Sequence, residues 1–376
     1  MPVKAERGRG FLRKLDRWIG VPAVLVLSLF RKKRPKPEQF NRIGICIFAA
    51  IGDALLASSI IADLRTAFPG SKITIFATPA NLATFDLIAG FDDLIVVPIT
   101  NPWAAVEAVR AHPVDILIDT SQWSRIGALV AALSRARWTI GFETDSQYRH
   151  ISYDFSVKHS PKVHELTNFR SLLSPFGIKA SFMPPIVKSS NPDCLKIKHP
   201  FIVLHPWASG NHFELREWPW VYWVEIAQKL LNAGYGVVIT GGPGDQDRAD
   251  ALCREIKTLA QGPLLSLAGC TLKETAVYLQ NSSAVISVNT GTMHLAALLG
   301  APLIALHGPT NPMRWGPVYP GDFPEEKAIV LGPDAKNGGA YLHLGFEYPN
   351  HPIYLMDQIS VDEVLNALRK FSINVA

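Results

Sequence analysis

The sequence predicts an α/β protein built from two doubly wound domains, and three observations carry that prediction. From residue 41 onward short apolar runs alternate with helical patterns, the mark of parallel sheets covered by helices on both faces. The alternation breaks over residues 155–198, where Pro161, Pro175, Pro184, Pro185 and Pro192 gather around a polar Ser189-Ser190-Asn191 segment. That stretch reads as an interdomain linker. The rhythm then restarts, and 376 residues is about two domains at roughly 150 residues each.

The elements follow in order. Residues 43–48 read as a buried strand, 54–68 as an amphipathic helix and 72–77 as a strand; strands at 94–97 and 114–119, a helix at 126–134 and a strand at 138–141 complete the first domain. After the break, strands at 201–204, 236–240, 264–267, 284–288 and 303–306 alternate with helices at 221–232, 245–259, 272–280 and 292–299. A last helix at 361–371 lies past an irregular stretch and is expected to pack back on the first domain. The chain therefore divides into an arm (1–40), a first Rossmann-like domain (41–190), a second (191–350) and a C-terminal helix (351–376). Ligands belong at the carboxyl ends of the strands, and the two domains are expected to face each other across a cleft.

Composition narrows the function. At 48% hydrophobic and 18% charged residues, the chain is neither largely disordered nor collagen-like. Cys46, Cys194, Cys253 and Cys270 lie far apart with no CxxC pair, which excludes a disulfide framework or zinc ribbon and fits a reducing compartment. Of the net charge of +5, residues 1–36 supply +9, from 11 Lys and Arg against Glu6 and Asp16, so the remainder carries −4. A nucleic-acid-binding protein spreads positive charge over its folded body, so no nucleic-acid partner is expected.

The basic arm holds thirteen uncharged residues between Arg17 and Arg31, short of the ~20 that cross a bilayer as a helix. The run ends in Arg31-Lys32-Lys33-Arg34 rather than in a small-residue cleavage site, which opposes translocation as a signal peptide. Trp18 and the flanking cations suit residues 1–36 to the interface of an anionic inner leaflet. The alternative is a hairpin packed on the protein's own surface.

Five turns at strand ends can carry chemistry. In Ala49-Ala50-Ile51-Gly52-Asp53, the Asp53 carboxylate either caps the following helix or takes a proton from an incoming hydroxyl. In Val288-Asn289-Thr290-Gly291-Thr292-Met293-His294, small residues open a helix whose first amides attract phosphate. Thr290 and Thr292 add hydroxyls there, and His294 either meets the same anion or is a structural hydrogen bonder. Gly241-Gly242-Pro243-Gly244-Asp245 lacks the GxGxxG spacing of a dinucleotide fingerprint; it is a loop passing near a nucleotide or a tight turn capped by Asp245. His205-Pro206-Trp207-Ala208-Ser209-Gly210 precedes Arg216, which can fork onto a diphosphate or be a surface charge. His307-Gly308-Pro309-Thr310-Asn311-Pro312 is a proline-stiffened loop in which Thr310 offers a donor.

Taken together, Ile51-Gly52-Asp53-Ala54-Leu55-Leu56, the His205-Pro-Trp-Ala-Ser-Gly210 segment with Arg216-Glu-Trp-Pro219, Thr240-Gly-Gly-Pro-Gly244, Asn289-Thr-Gly-Thr-Met-His294 and Gly308-Pro-Thr-Asn-Pro312 resemble, in this order, the bacterial ADP-heptose:lipopolysaccharide heptosyltransferases of glycosyltransferase family 9. The resemblance covers about residues 40–371 and implies a GT-B fold. It also implies inverting transfer of a sugar, heptose first, from an ADP-sugar donor to a lipopolysaccharide or related lipid-linked saccharide acceptor. By the same resemblance Asp53 is the general base, and Ser209, Arg216, Gly242, Asn289, Thr290, Gly291, Thr292, His294 and Thr310 form the donor site. The enzyme would lie on the inner face of the bacterial cytoplasmic membrane.

Two departures stand out. Asn289 occupies a place where many members carry Asp, so it adds no negative charge and the donor sugar need not be heptose. Arg216 stands where many members have Lys, and a planar fork is not a point charge. The cysteine-rich stretch of some relatives is missing from residues 338–356, so no metal is expected there and no cofactor is proposed. Acceptor choice is expected around Trp123, Arg125 and residues 148–164. The competing readings are a nucleotide-sugar epimerase, disfavoured by the basic arm, and a non-catalytic nucleotide-sugar-binding module, disfavoured by Asp53 beside a complete donor loop. A nicotinamide dehydrogenase is the weakest, for want of a GxGxxG after a strand.

Overall fold

The computed structural model describes residues 16–181, 183–188, 195–197, 200–320, 327–333, 339–345 and 347–375. The first fifteen residues of the arm, the Ser189-Ser190-Asn191 segment with Pro192, and Cys194 lie outside the described residues. The chain divides into two compact units, the first ending at Val187 and the second running from Lys188.

The N-terminal unit comprises α1 (Val21–Phe30), β1 (Arg42–Ile47), α2 (Ile51–Ala57), α3 (Ser59–Ala67), β2 (Lys72–Ala77), β3 (Asp93–Val96), α4 (Pro102–Arg110), β4 (Ile116–Asp119), α5 (Arg125–Leu133), β5 (Trp138–Glu143), β6 (Phe155–Lys158) and α6 (Glu165–Ser171). Its six strands run parallel in the order β3-β2-β1-β4-β5-β6. The central strand β1 is an apolar run because both its faces are covered; Ile43, Ile45, Cys46 and Ile47 are fully buried. Gly44 is required there, since a Cβ would stand 2.8 Å from Phe76 and 2.9 Å from Leu117. The strand order reverses between β1 and β4, the point at which loops leaving the carboxyl ends of such sheets diverge.

Three sequence expectations need correction in this unit. The helix expected at 54–68 is two helices, broken at Ser58, whose hydroxyl donates back to the Leu55 carbonyl at 2.7 Å. Such back-bonding from Ser competes with a regular helix. The expected linker from 155 contains an edge strand paired with β5 and the helix α6, which packs on α2 and α3. Four half-exposed strand residues and a seven-residue helix are too short for a period to register against nearby prolines. Arg125, expected near the acceptor, is buried and bound to Asp16 of the arm at 2.8 Å.

The described part of the arm, from Asp16 onward, is seated on this unit. Helix α1 packs against α5 and the short turn Arg149–Ser152. Asp16 accepts from the Arg125 amide at 2.9 Å, capping α5 where Ser124 makes no side-chain cap bond. At the far end Arg31 and Arg34 converge on the fully buried Asp154 carboxylate at 3.0 and 2.7 Å. Burial alone would raise that carboxyl, but the hydrogen bonds from Arg34 and the charge of Arg31 hold it below the usual range. From Asp16 onward the arm is held on its own unit as a helix with flanking chain and not as a hairpin, and Trp18, Leu29 and Phe30 stay 77%, 81% and 83% exposed. Among the described residues no helix is long and apolar enough to cross a membrane.

The C-terminal unit comprises β7 (Phe201–His205), α7 (Trp220–Asn232), β8 (Gly236–Ile239), α8 (Gln246–Leu259), β9 (Leu264–Ser266), α9 (Leu272–Asn281), β10 (Ala284–Val288), α10 (Gly291–Leu299), β11 (Leu303–Leu306), α11 (Pro312–Trp315), β12 (Ala328–Leu331) and α12 (Val361–Lys370). Its parallel sheet runs β12-β11-β10-β7-β8-β9, with the reversal between β7 and β10. Strand β12, four residues in an irregular region, has no counterpart in the sequence reading.

The last helix corrects another expectation. Instead of returning to the first domain, α12 packs on α7 of its own unit. Val361, Val364, Leu365, Ala367 and Leu368 join Trp218, Trp223 and Ile226 in one buried cluster. Trp218 Nε1 donates to the Ile359 carbonyl at 2.8 Å and fixes the approach. Periodicity shows that a helix has an apolar face, but not which surface covers it.

Candidate active site

In the N-terminal unit the chemistry gathers at the β1–β4 reversal. Asp53 is the third residue of α2, half-buried, and it is not the cap: that position is Ala50, which makes no side-chain cap bond. A carboxylate in the first turn is still favoured by the helix dipole. Its Oδ1 accepts a hydrogen bond from Gln122 Nε2 at 3.0 Å. Gln122, in the loop leaving β4, was missed in the sequence, where a glutamine 69 positions from Asp53 gives no local signal.

A buried ionic network holds that loop. Asp119 Oδ2 accepts from Arg149 Nη2 at 2.8 Å and from the Tyr153 hydroxyl at 2.6 Å; its Oδ1 accepts from the Ser121 amide and hydroxyl at 2.9 and 2.6 Å. Arg149 also donates to the Ser121 carbonyl. Asp119 and Arg149 are fully buried, and two glycines make the room: a Cβ on Gly127 would meet the Asp119 carboxylate at 2.5 Å and one on Gly141 the Tyr153 ring at 2.2 Å. Burial pushes the Tyr153 hydroxyl well above its ordinary pKa, so it stays protonated and donates.

In the C-terminal unit two loops flank the β7–β10 reversal. Thr290 stands at the cap position of α10 yet makes no side-chain cap bond, and its Oγ1 is buried with no hydrogen-bond partner. Gly291 and Thr292 open the helix, whose first-turn amides have no partners within it. This is the chemistry of an anion site. His294, 4% exposed, sits one turn further on. From the other loop Arg216 donates to the carbonyl of exposed Ser209, while its Nε is buried without a partner. Glu217 fastens this loop, accepting from the Ala208 amide and from Arg248 Nη1, both at 3.0 Å. The Arg248 guanidinium lies 4.4 Å over the Trp207 ring.

Other expected donor residues are engaged within the protein. Gly242 gives its amide to Asp245 Oδ2 at 2.9 Å, the capped tight turn. Asn289 Nδ2 donates to the Trp315 carbonyl at 2.9 Å and lies 3.4 Å from His307 Nε2, while Thr310 Oγ1 lies 3.2 Å from His307 Nδ1. His307, fully buried, thereby joins Asn289 and Thr310 into one chain across the ends of β10 and β11. Among the described residues no group of three or more His, Cys, Asp and Glu is placed to hold a metal ion.

His205 closes β7, buried, with Nδ1 2.9 Å from Thr240 Oγ1. Burial pushes its pKa down to about 4, outweighing the opposing hydrogen bond with Thr240. Between pH 6.5 and about 4 the unfolded chain binds a proton here that the folded one does not, so stability is full above 6.5 and falls with pH through this window. The expected loss is about 3 kcal/mol at its lower end. Denaturant unfolding at pH 7, 6 and 5 checks this: His205→Gln should flatten the dependence by one proton's worth of slope, and an unchanged slope counts against the assignment.

The chain is similar to known proteins in sequence and in fold. The model of "Glycosyltransferase family 9 (heptosyltransferase)" matches residues 103–323. Lipopolysaccharide heptosyltransferase 1 of Pseudomonas aeruginosa is 32% identical over 144 residues, 38% of this chain and 34% of that protein. This chain thus spans about a third of the length of that relative, and 28% of lipopolysaccharide heptosyltransferase 2 of Salmonella typhimurium. Lipopolysaccharide heptosyltransferase 3 of Escherichia coli K12 is 25% identical over 292 residues, 71% of this chain and 82% of that one. Among solved structures, E. coli ADP-heptose lps heptosyltransferase II matches with a TM-score of 0.69 at 18% identity, over 88% of this chain and 98% of its own. A family 9 glycosyl transferase from Veillonella parvula matches at 0.71 and 20%, over 90% and 99%. At these identities the structural likeness is one of fold, the GT-B class of two α/β units with parallel sheets. The family model covers more than half of the sequence, and the chain belongs to glycosyltransferase family 9, the heptosyltransferase family.

Proposed function

We propose that this protein is an inverting glycosyltransferase that moves a sugar, heptose first among candidates, from an ADP-sugar to a hydroxyl of a lipopolysaccharide or related lipid-linked saccharide. The observation that carries the reading is the vacant hydrogen-bonding capacity at the start of α10, with the buried Thr290 hydroxyl unpaired, in a chain whose other unit sets the Asp53 carboxylate at a strand's carboxyl end. The first-turn amides and Thr290 bind the donor diphosphate and stabilise the charge that grows on it as the glycosidic bond breaks. Arg216 adds a cation once its Ser209 tie is exchanged for phosphate. Asp53 takes the acceptor hydroxyl proton as that oxygen attacks the anomeric carbon from the side opposite the leaving ADP, which inverts the centre.

ADP release by the purified protein, measured over a panel of nucleotide sugars with and without a lipid-linked saccharide extract, tests the reading. Acceptor-dependent release from one ADP-sugar is expected. Tight nucleotide-sugar binding with no transfer across the panel would leave a binding module instead.

The same proposal places the enzyme on the inner face of the cytoplasmic membrane through its arm. The exposed side of α1 and its preceding turn carry Trp18, Ile19, Leu25, Val26, Leu29 and Phe30, beside the cationic Lys32-Lys33. An apolar face next to a polybasic cluster is the pair of signals that stable anchoring needs. Leu29→Glu with Phe30→Glu is expected to lower co-flotation with phosphatidylglycerol-containing vesicles about tenfold or more. Turnover of a soluble acceptor should be unchanged, and equal flotation of both proteins would remove the arm from this role.

A further inference from the structure

We infer that Gln122 is a positioning residue for Asp53, its side-chain amide holding the carboxylate in the orientation from which it takes the acceptor's proton. The inference rests on the reading of Asp53 as the base and adds to it the means by which this chain aims that group. An aspartate one turn into a helix can rotate about both of its side-chain bonds, and a general base works only within about 3 Å of the proton it removes. A second, independently anchored contact on the carboxylate restricts that rotation.

Gln122 is built to be such an anchor. β1 and β4 are parallel neighbours with Cys46 opposite Asp119, and their loops diverge at the sheet's reversal, so a side chain leaving β4 meets the start of α2 from the facing side. The backbone on either side of Gln122 is fastened before its side chain is used. Thr120 donates from both its amide and its hydroxyl to the Cys46 carbonyl of β1, at 3.1 and 2.9 Å. Ser121 is bound through its amide, hydroxyl and carbonyl by Asp119 and Arg149. The Gln122 carbonyl itself accepts from the Thr144 hydroxyl. What remains to reach across is one glutamine side chain, 6% exposed, whose Nε2 meets Asp53 Oδ1 at 3.0 Å.

The type of residue fits the task. The nitrogen must be the atom facing Asp53, since the amide oxygen there would oppose the carboxylate. A neutral amide donor orients a carboxylate without adding a charge, whereas a cation in its place would stabilise the ionised form more strongly and make it a poorer base.

The test is a double-mutant cycle in single-turnover ADP release with saturating donor and acceptor. Gln122→Ala is expected to lower the transfer rate roughly tenfold or more, with the donor KM within twofold and the thermal midpoint within a few degrees of wild type. Gln122→Met, which keeps the length and removes the donor, should behave alike and guards against a packing defect. In the Asp53→Ala background Gln122→Ala should cost nothing further, because there is no carboxylate left to orient. A merely structural glutamine would lower the rate by the same factor in both backgrounds, and that result overturns the inference. Wild-type turnover by Gln122→Ala and Gln122→Met beside a disabled Asp53→Ala also overturns it, while leaving the base assignment intact. Wild-type turnover by Asp53→Ala overturns both.

Discussion

Asp53→Ala is expected to lower acceptor-dependent ADP release by roughly 10²- to 10⁴-fold, the range of general base catalysis, while donor affinity stays within twofold. The separation follows from where the groups lie. Asp53 is on α2 of the N-terminal unit, and the residues assigned to the donor are on α10 and the loop after β7 of the other. Removing the carboxylate forfeits the hydrogen bond from Gln122, worth about 0.5–1.5 kcal/mol, and a favourable first-turn charge worth about 0.3–1 kcal/mol, but no capping bond, since Ala50 holds the cap position. The variant should therefore fold. Isothermal titration with ADP beside the turnover assay reads both quantities. A loss of ADP binding equal to the loss of rate would show that the substitution acts on the fold and not on proton transfer.

Asp119→Ala is expected to destabilise the protein by about 3–5 kcal/mol, the usual cost of breaking a buried ion pair from one side. Four donor groups on three residues lose their acceptor at once. Arg149 is left charged with no exposed surface, and the Tyr153 hydroxyl and the Ser121 amide and hydroxyl lose their bonds to the carboxylate. Arg149 Nε is already buried without a partner, so the loss of the carboxylate adds to an existing deficit of acceptors. Circular dichroism against urea measures the shift in midpoint. Asp119→Asn keeps an acceptor oxygen but not the charge, and it should fall between the variant and wild type. An Asp119→Ala midpoint within the scatter of wild type would show that the network contributes no net stability. Because this network pins the loop that carries Gln122, Asp119→Ala should also slow turnover at temperatures where the protein remains folded.

Most strands and helices of both sheets were legible because each has a face, or two faces, that must be apolar. β1 and β10 read as continuous apolar runs since neither side meets water, and all their apolar residues are fully buried. The loops after β1, β7, β10 and β11 were legible as candidate sites for a related reason: a parallel sheet delivers its chain ends to one edge. Short elements were not legible. β6, α6 and β12 have four, seven and four residues, less than their periods need, and each lies near proline or irregular chain. Residue environments at the loops proposed for the donor were only partly legible. Thr290 and Gly242 both follow strands among glycines, yet one hydroxyl is left unpaired and the other residue's amide is spent on Asp245.

The sequence by itself determined the fold class, the two-part organisation, the basic arm and the position of Asp53 at the end of the first strand, because these depend on periodicity, composition and chain order. The tertiary structure alone decided what stands opposite each group. It placed Gln122 against Asp53, Asp16 at the start of α5, two arginines on Asp154, His307 between Asn289 and Thr310, and α12 on its own unit's core. The physical reason is the parallel sheet itself. Neighbouring strands such as β1 and β4 are joined by long crossovers, so residues that touch, like Cys46 and Thr120, stand 74 positions apart. Their pairing is set by strand order and packing, which no local pattern of side chains records.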